Sequence, residues 1–350
     1  MAKWKIERLP SPMWVRPLIP IAAIIVTFLL TSLLLLLAKA NPFTAFYNFL
    51  VAPLSNSVSA IEVLVKATPL LFTGAAVTFA FAAGYWNIGA EGQLYAGAIA
   101  AAAMGIIVKG LPPVLAILLM IVAGFAGGMA WALIPALLKI KLAVDEVVTT
   151  LLMNTIILFF VSFLLNGVWR DPISGWPQSP TIADEAIFPK LIPMARLHLG
   201  FILAWIVIGI IYLVLRRSAL GLRMRSIGLN PEAARFAGVK VNQTILTAAL
   251  VSGGIAGLAG MSEVAGIQYH LIDAISPGYG YTGIIAATLG GLNPLGVSLA
   301  SLFIGLIETG AQSVSRAMGV PIYLGNVVEA ALLLVTLSML ILQNYRIRRS

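Results

Sequence analysis

The sequence predicts an all-α polytopic membrane protein with about ten transmembrane helices, and three observations carry that prediction. Of 350 residues, 60% are hydrophobic and only 10% charged, against about 25% charged in soluble domains. Apolar runs long enough to cross a bilayer recur along the whole chain, and the mean hydropathy is +0.99. The Lys and Arg residues cluster between those runs, as the positive-inside rule requires. Together these exclude a water-soluble enzyme, a nucleic-acid-binding module and a disordered scaffold, because too little polar surface exists to coat a soluble core. The net charge of +9 therefore reads as membrane topology and not as a polyanionic partner. Cysteine is absent, which removes disulfides, thiolate metal sites and cysteine nucleophiles.

Residues 1–17 carry Lys3, Lys5, Arg8 and Arg16 and are expected to be a cytoplasmic segment. The first apolar run, Leu18 to Ala38, exceeds the roughly 7 to 15 residues of a cleaved signal and can span a core of about 30 Å. It is read as a retained helix, although Ala38-Lys39-Ala40 resembles a signal-peptidase site. Further runs lie near 60–83, 88–108, 114–138, 147–167, 199–215, 244–262, 282–292, 296–314 and 323–342, within a membrane domain covering 18–345. The eighth run is too short to cross unaided and is expected to be a half-helix or re-entrant segment, covered by protein or lining a cavity.

Charge tests the count, since every crossing flips the side. Starting inside, Lys139 and Lys141, then Arg216, Arg217, Arg223, Arg225, Arg235 and Lys240, then Arg346, Arg348 and Arg349 all fall inside with the N-terminal cluster. These are 15 of the 22 Lys and Arg residues, so ten crossings agree with the charge bias. Eight remain if runs eight and nine form one hairpin that does not cross. Both counts make residues 216–243 a cytoplasmic loop, 346–350 a cytoplasmic tail and 168–199 an external loop. That external loop is either a docking surface or a Pro-stiffened connection with Trp169 and Trp176 at the interface.

Chemistry concentrates in two glycine-interrupted stretches, Gly84-Tyr-Trp-Asn-Ile-Gly-Ala-Glu-Gly-Gln93 and Gly278 to Pro294. Interrupted segments in both halves point to a transport site, because unwound backbone and helix ends offer polar groups at membrane depth. Glu91 is the most informative acid. If a helix starts near Asn87, that residue caps it and Glu91 follows on the same face. A carboxylate within the membrane usually faces a cavity or a partner. Asn87, Glu91 and Gln93 are candidates to line a pathway for a hydroxylated solute, with Tyr85 and Trp86 stacking on a ring. The alternative is that Glu91 ties broken backbone together through amides near Gly89 and Gly92. Asn154 and Asn293 either line the pathway or bond a neighbouring helix. Small faces at Gly124 to Gly128 and Gly253 to Gly260 suit close helix packing. Glu263, His270, Asp273, Glu308 and Glu329 are isolated in sequence, and an interface location is expected for them.

The basic stretch after Arg216 has a different character. Asn230 is a good N-cap, Pro231 suits the first helical position and Glu232 complements the helix dipole. A short helix is expected from Pro231 to Ala237, stopping at Gly238. Exposed between two spans, it cannot bury a core of its own and is shaped to dock in another protein's groove.

Enzyme signatures are scarce. There is no Gly-x-x-x-x-Gly-Lys-Ser/Thr phosphate loop and no His-Glu-x-x-His. His198 and His270 lie far apart, and the acidic pairs Asp145-Glu146 and Asp184-Glu185 are poor candidates for a metal cage. No catalytic or metal site is expected.

Three stretches carry a family resemblance: Asn87-Ile-Gly-Ala-Glu-Gly-Gln93, Gly228-Leu-Asn-Pro-Glu-Ala-Ala-Arg-Phe-Ala-Gly238, and Tyr281-Thr-Gly-Ile-Ile-Ala-Ala-Thr-Leu-Gly-Gly-Leu-Asn-Pro294. With them the chain, from about Leu18 to Arg349, resembles the permease of ABC importers of the ribose-type simple-sugar and nucleoside branch. The first stretch is similar to the signature of nucleoside-type members, and the N-terminal extension resembles the larger of their two permeases. The Tyr85-Trp86 pair departs from a family pattern that commonly has phenylalanine. The resemblance implies the ABC importer permease fold in a bacterial cell membrane, importing nucleosides or, alternatively, simple sugars. It implies that Asn230, Pro231, Glu232, Ala233, Ala234, Arg235 and Gly238 belong to a coupling helix seated on a separate ATPase subunit. It implies too a second, non-identical permease and an extracytoplasmic binding lipoprotein. The chain itself would then bind no cofactor, ATP and Mg being used by the ATPase. The rival from another class is an ion-coupled secondary transporter with Glu91 as its proton or cation site.

Overall fold

The computed structural model describes residues 4–8, 18–37, 39–319, 321 and 323–349. The chain is nearly all helical, and each of the ten apolar runs lies on a helix. In chain order the helices among the described residues are α1 (Leu18–Leu37), α2 (Pro42–Leu50), α3 (Ser57–Phe81), α4 (Ala90–Ile107), α5 (Pro113–Leu142), α6 (Glu146–Asn166) and α7 (Leu199–Arg217). There follow α8 (Ala219–Leu229), α9 (Pro231–Phe236), α10 (Val241–Glu263), α11 (Tyr279–Leu289), α12 (Pro294–Met318) and α13 (Leu324–Asn344). Seven of them, α3 to α7, α10 and α12, are long and apolar enough among the described residues to cross a membrane.

The all-α expectation misses one element. Strand β1 (Trp4–Arg8) pairs antiparallel with β2 (Tyr345–Arg349), which brings the two ends of the chain together. Residues 346–349 lie on β2 of this two-stranded ribbon. The side chain of Glu329 lies outside the described residues.

The core is built on α10, which packs against α5, α4 and α3. Small residues allow this. A methyl group added at Gly97 would sit 2.2 Å from the Gly257 carbonyl oxygen, so α4 and α10 touch backbone to backbone. Such contacts let membrane helices approach where lipid supplies no hydrophobic drive between them. The small faces of α5 and α10 meet each other in the same way, at Gly128 and Gly253.

Helix α11 has eleven residues, about 16 Å at the standard rise, roughly half a bilayer core. It starts at depth: the Thr73 hydroxyl, in the middle of α3, donates to the Tyr279 carbonyl at 2.9 Å. The turn into it is made by Gly278 at φ 108°, a conformation that favours glycine. Before it, α10 ends in a π-helical turn (Val264–Gln268), and residues 269–278 lead on to α11. The short eighth run is thus a half-helix covered by protein, one of the two forms the sequence allowed.

Candidate functional site

The two interrupted stretches meet inside the bundle. Glu91, in the first turn of α4, accepts a hydrogen bond on Oε2 from the Gly280 amide at 2.6 Å. The Ser276 hydroxyl, at the approach to α11, accepts from the Gly278 and Tyr279 amides at 3.1 and 2.9 Å. Among the described residues no ion pair includes Glu91. The carboxylate instead holds the free N-terminal amide end of one broken helix against the start of another, a use of helix N-terminal polarity that suits an anion.

Asn154 of α6 closes the same junction from the third side. Its Oδ1 accepts from the Gly92 amide at 2.9 Å, while its Nδ2 donates to the Ile88 carbonyl at 3.0 Å and to the Tyr281 hydroxyl at 3.1 Å. Asn87 and Gln93 form a reciprocal amide pair at 2.8 and 3.0 Å. The second Asn87 amide hydrogen goes to Ser252 of α10, whose hydroxyl donates to the Ala76 carbonyl of α3 at 2.7 Å. Every hydrogen-bonding position of the Asn87 amide is used. Asn87, Glu91, Gln93 and Asn154 are each at most 3% exposed, so in this conformation all four are closed off from solvent, Asn87 and Gln93 bonded to each other and Glu91 and Asn154 to main chain and Tyr281.

Local details differ from the sequence expectation. Helix α4 begins at Ala90 with Gly89 as its N-cap, and Asn87 lies outside the helix, accepting from the Gly89 amide at 3.0 Å. The amides of Gly89 and Gly92 are taken by Asn87 and Asn154, so neither is a partner of Glu91. Tyr85 and Trp86 lie in different surroundings, and Tyr85 is buried. Trp86 is half exposed, edge-on to Phe81. Its amide faces the Glu146 carboxylate at 3.5 Å, and Glu146 is paired with Lys139 at 2.5 Å. Asn293 stands apart from the junction and caps α12 through the Leu295 amide at 3.3 Å. Tyr281, also partly exposed, joins the site although the motif that contained it did not single it out.

The short capped helix forms as α9, one residue shorter than expected, with Ala237 as its C-cap and Gly238 at φ 83°. Asn230 Oδ1 accepts from the Glu232 and Ala233 amides, both at 3.0 Å. Ala234 is buried against Ile227 and Val241, while Pro231, Glu232, Ala233, Arg235 and Gly238 are exposed. Phe236 is 97% exposed and Leu229 89%. The sequence pattern does not isolate this exposed ring. Helix α8 carries this unit to the first chain break: Gly228 abuts the Ala82 carbonyl and Gly84.

A second cluster falls outside the sequence expectation. Glu263 and Glu308, expected singly at the membrane interface, are drawn together near Lys66, which pairs with Glu308 at 4.0 Å. Arg196 of the segment before α7 pairs with Glu62 of α3 beside them. Opposite charges inside two apolar runs, Lys66 and Glu308, are the signal the sequence offers. His270 and Asp273 stay on the partly exposed segment 269–278.

Comparison with known proteins adds the following. Residues 59–337 match the family described as "Branched-chain amino acid transport system / permease component". The chain is 34% identical to a glucose ABC transporter permease protein of Haloferax volcanii, over 96% of this chain and 91% of that protein. It is 32% identical to a guanosine ABC transporter permease protein of Bacillus subtilis, over 91% and 92%. It is 30% identical to a nucleoside ABC transporter permease protein of Lactococcus lactis, over 90% and 89%. No solved structure matches.

Proposed function

This chain belongs to the branched-chain amino acid transport system permease family, a multi-pass membrane permease component of ABC transport, and on that premise we propose that it forms part of the solute pathway of an ATP-driven nucleoside importer. The observation that carries the reading is the contact chain from α9 through Gly228 to Ala82 and Gly84, and so to the junction where Glu91 meets Gly280. It gives an exposed docking helix a direct route to a break in the membrane core.

In this reading α9 sits in a groove of the separate ATPase, with Phe236 as its apolar anchor and Asn230, Glu232 and Arg235 around it. ATP-driven closure of the ATPase pair displaces α9 and α8, which move residues 82–89. The Asn87–Gln93 and Glu91–Gly280 bonds hold the breaks in one arrangement, and their exchange accompanies the switch between outward and inward openings. Trp86 and Tyr281 keep free ring surface beside the junction, suited to weak stacking on a base. Tight contacts are not required, since they would slow release. A second permease completes the pore, and an extracytoplasmic binding protein delivers solute.

Ten crossings with both termini in the cytoplasm fit this scheme. The pairing of β1 with β2 keeps the two ends on one side, which needs an even count, and the Lys and Arg bias puts that side inside. Helices α1 and α13, and the segment 269–278 together with the half-helix α11, then complete the seven longer spans.

The guanosine and nucleoside relatives favour a nucleoside, and the glucose relative supports a second reading, a simple sugar. Uptake of labelled ribonucleoside in cells with and without the gene, in competition with unlabelled nucleosides, nucleobases, ribose, galactose and glucose, separates them. Gene-dependent uptake blocked by nucleosides alone and abolished by ATP depletion is the expected result. Gene-independent nucleoside uptake with gene-dependent sugar uptake would establish the sugar reading. Gene-dependent uptake that collapses with a protonophore while ATP is maintained would establish the secondary transporter.

A further inference from the structure

Beside the junction lies a cavity of about 230 Å³ whose wall includes Glu62, Lys66, Arg196, Glu263, Gln268 and Tyr279. Four features set it apart from a packing defect. Its lining is polar, and each of its two cations is already paired, Lys66 with Glu308 and Arg196 with Glu62. Glu263 is 5% exposed, and among the described residues neither a hydrogen bond nor an ion pair within 4.0 Å reaches its carboxylate; Lys66 and Arg196 act on it only from farther away. An unpaired buried carboxylate in a membrane bundle marks a functional site by default. Gln268 closes the π-helical turn Val264–Gln268, a device found mostly at functional sites. Finally, Tyr279 lines the cavity and the next residue, Gly280, is bound to Glu91, so the cavity wall is joined in sequence to the meeting point of the two breaks.

We propose that this cavity is a subsite for the vicinal hydroxyls of a neutral solute, whether a sugar ring or the ribose of a nucleoside. Each hydroxyl both donates and accepts, and the wall offers acceptors on Glu263 and Glu62 beside donors on Lys66, Arg196 and Gln268. The volume lies below the roughly 300 to 1,000 Å³ of drug-sized ligand sites and suits one ring. The assignment rests on the chain passing a hydroxylated solute, as argued above.

The test uses membranes containing the full chain, treated with dicyclohexylcarbodiimide, with modification of Glu263 followed by peptide mass. Modification is expected, slowed severalfold by guanosine, uridine or glucose and unaffected by the 2′,3′-dideoxy forms of the two nucleosides. Protection by glucose alone or by the nucleosides alone names the source of the diol. In cells Glu263→Gln is expected to raise the KM for that solute by about tenfold or more, the loss of one hydrogen bond to a charged group. Absence of modification, absence of protection by all three solutes, or equal protection by the dideoxy forms overturns the subsite. Gene-independent uptake of all three solutes overturns the importer reading and the subsite with it. Gene-dependent uptake without diol-selective protection overturns the subsite alone.

Discussion

The Gly280 amide donates to Glu91 Oε2 at 2.6 Å across 189 residues of sequence. The first turn of α4 is thereby fastened to the first turn of α11, with no cation in the pairing. Shape and charge at this position separate cleanly. Glu91→Ala leaves the Gly280 amide without an acceptor and is expected to cost about 1–3 kcal/mol, while Glu91→Gln keeps one acceptor and most of the stability. Thermal melting of the purified variants beside cellular uptake checks this. Uptake lost in both with melting unchanged in both would make Glu91 a solute contact instead of a brace.

Asn154 makes three hydrogen bonds at the same junction, and Tyr281 makes one of them. Asn154→Ala is therefore expected to destabilise by more than Tyr281→Phe, which at about 1 kcal/mol removes a single neutral bond. Tyr281→Phe retains the ring, so uptake should persist where Tyr281→Ala loses it. A reversed order of melting temperatures would refute the assignment of Asn154 as the hub.

Gly257 and Gly209 give a matched pair of alanine substitutions. A methyl at Gly257 meets the Gly124 carbonyl oxygen at 2.3 Å, whereas at Gly209 nothing lies within 4 Å. Gly257→Ala should cost about 1–3 kcal/mol or more by overpacking. Gly209→Ala, inside α7, should gain up to about 1 kcal/mol from helix propensity. Melting of both variants in the same detergent tests the contrast.

Phe236 is exposed and touches nothing that holds the fold. Phe236→Ala is expected to leave the melting temperature unchanged and reduce uptake at least tenfold. Asn230→Ala removes the cap of α9 and should cost about 1 kcal/mol locally, with a partial loss of uptake. Full uptake by Phe236→Ala would remove the anchor role.

His198 caps α7 with Nδ1 accepting from the Gly200 amide at 3.1 Å, and burial lowers its pKa to about 4. Protonating Nδ1 would break the cap, so the folded chain keeps the ring neutral. Below the unfolded value near 6.5, only the unfolded chain takes up the proton. Stability is therefore complete above pH 6.5 and falls as pH drops toward 4, at up to about 1.4 kcal/mol per unit. Melting from pH 7 to 4 in wild type and in His198→Asn, which cannot titrate, should show a shallower decline in the variant.

Much of this architecture is legible in the amino-acid sequence. Run lengths locate the helices, the two glycine-rich interruptions locate the junction, and Asn-Pro-Glu at 230–232 locates α9. The partners are not legible. Helices buried on most sides carry no periodic stripe to say which face meets which neighbour. Thus Ser252 against Asn87, 165 positions away, and Asn154 against Gly92 leave no local trace. The grouping of Glu263, Glu308 and Lys66 is hidden likewise, because each looks like a stray charge until three helices converge. Glu91 stands out for the right reason, its cost in an apolar segment, but its nearest amides are taken by shorter routes.

The abutment of Gly228 on Ala82 involves a main-chain carbonyl on one side and a residue with no side chain on the other. Such a contact has no rotamers to yield and no side-chain entropy to spend. In the coupling proposed above, a displacement of α8 would arrive at residues 82–84 undamped, like a push through a rod instead of a spring. A longer residue at position 228 would introduce slack as well as a clash, so ATP would still be spent while less of each stroke reached the membrane core.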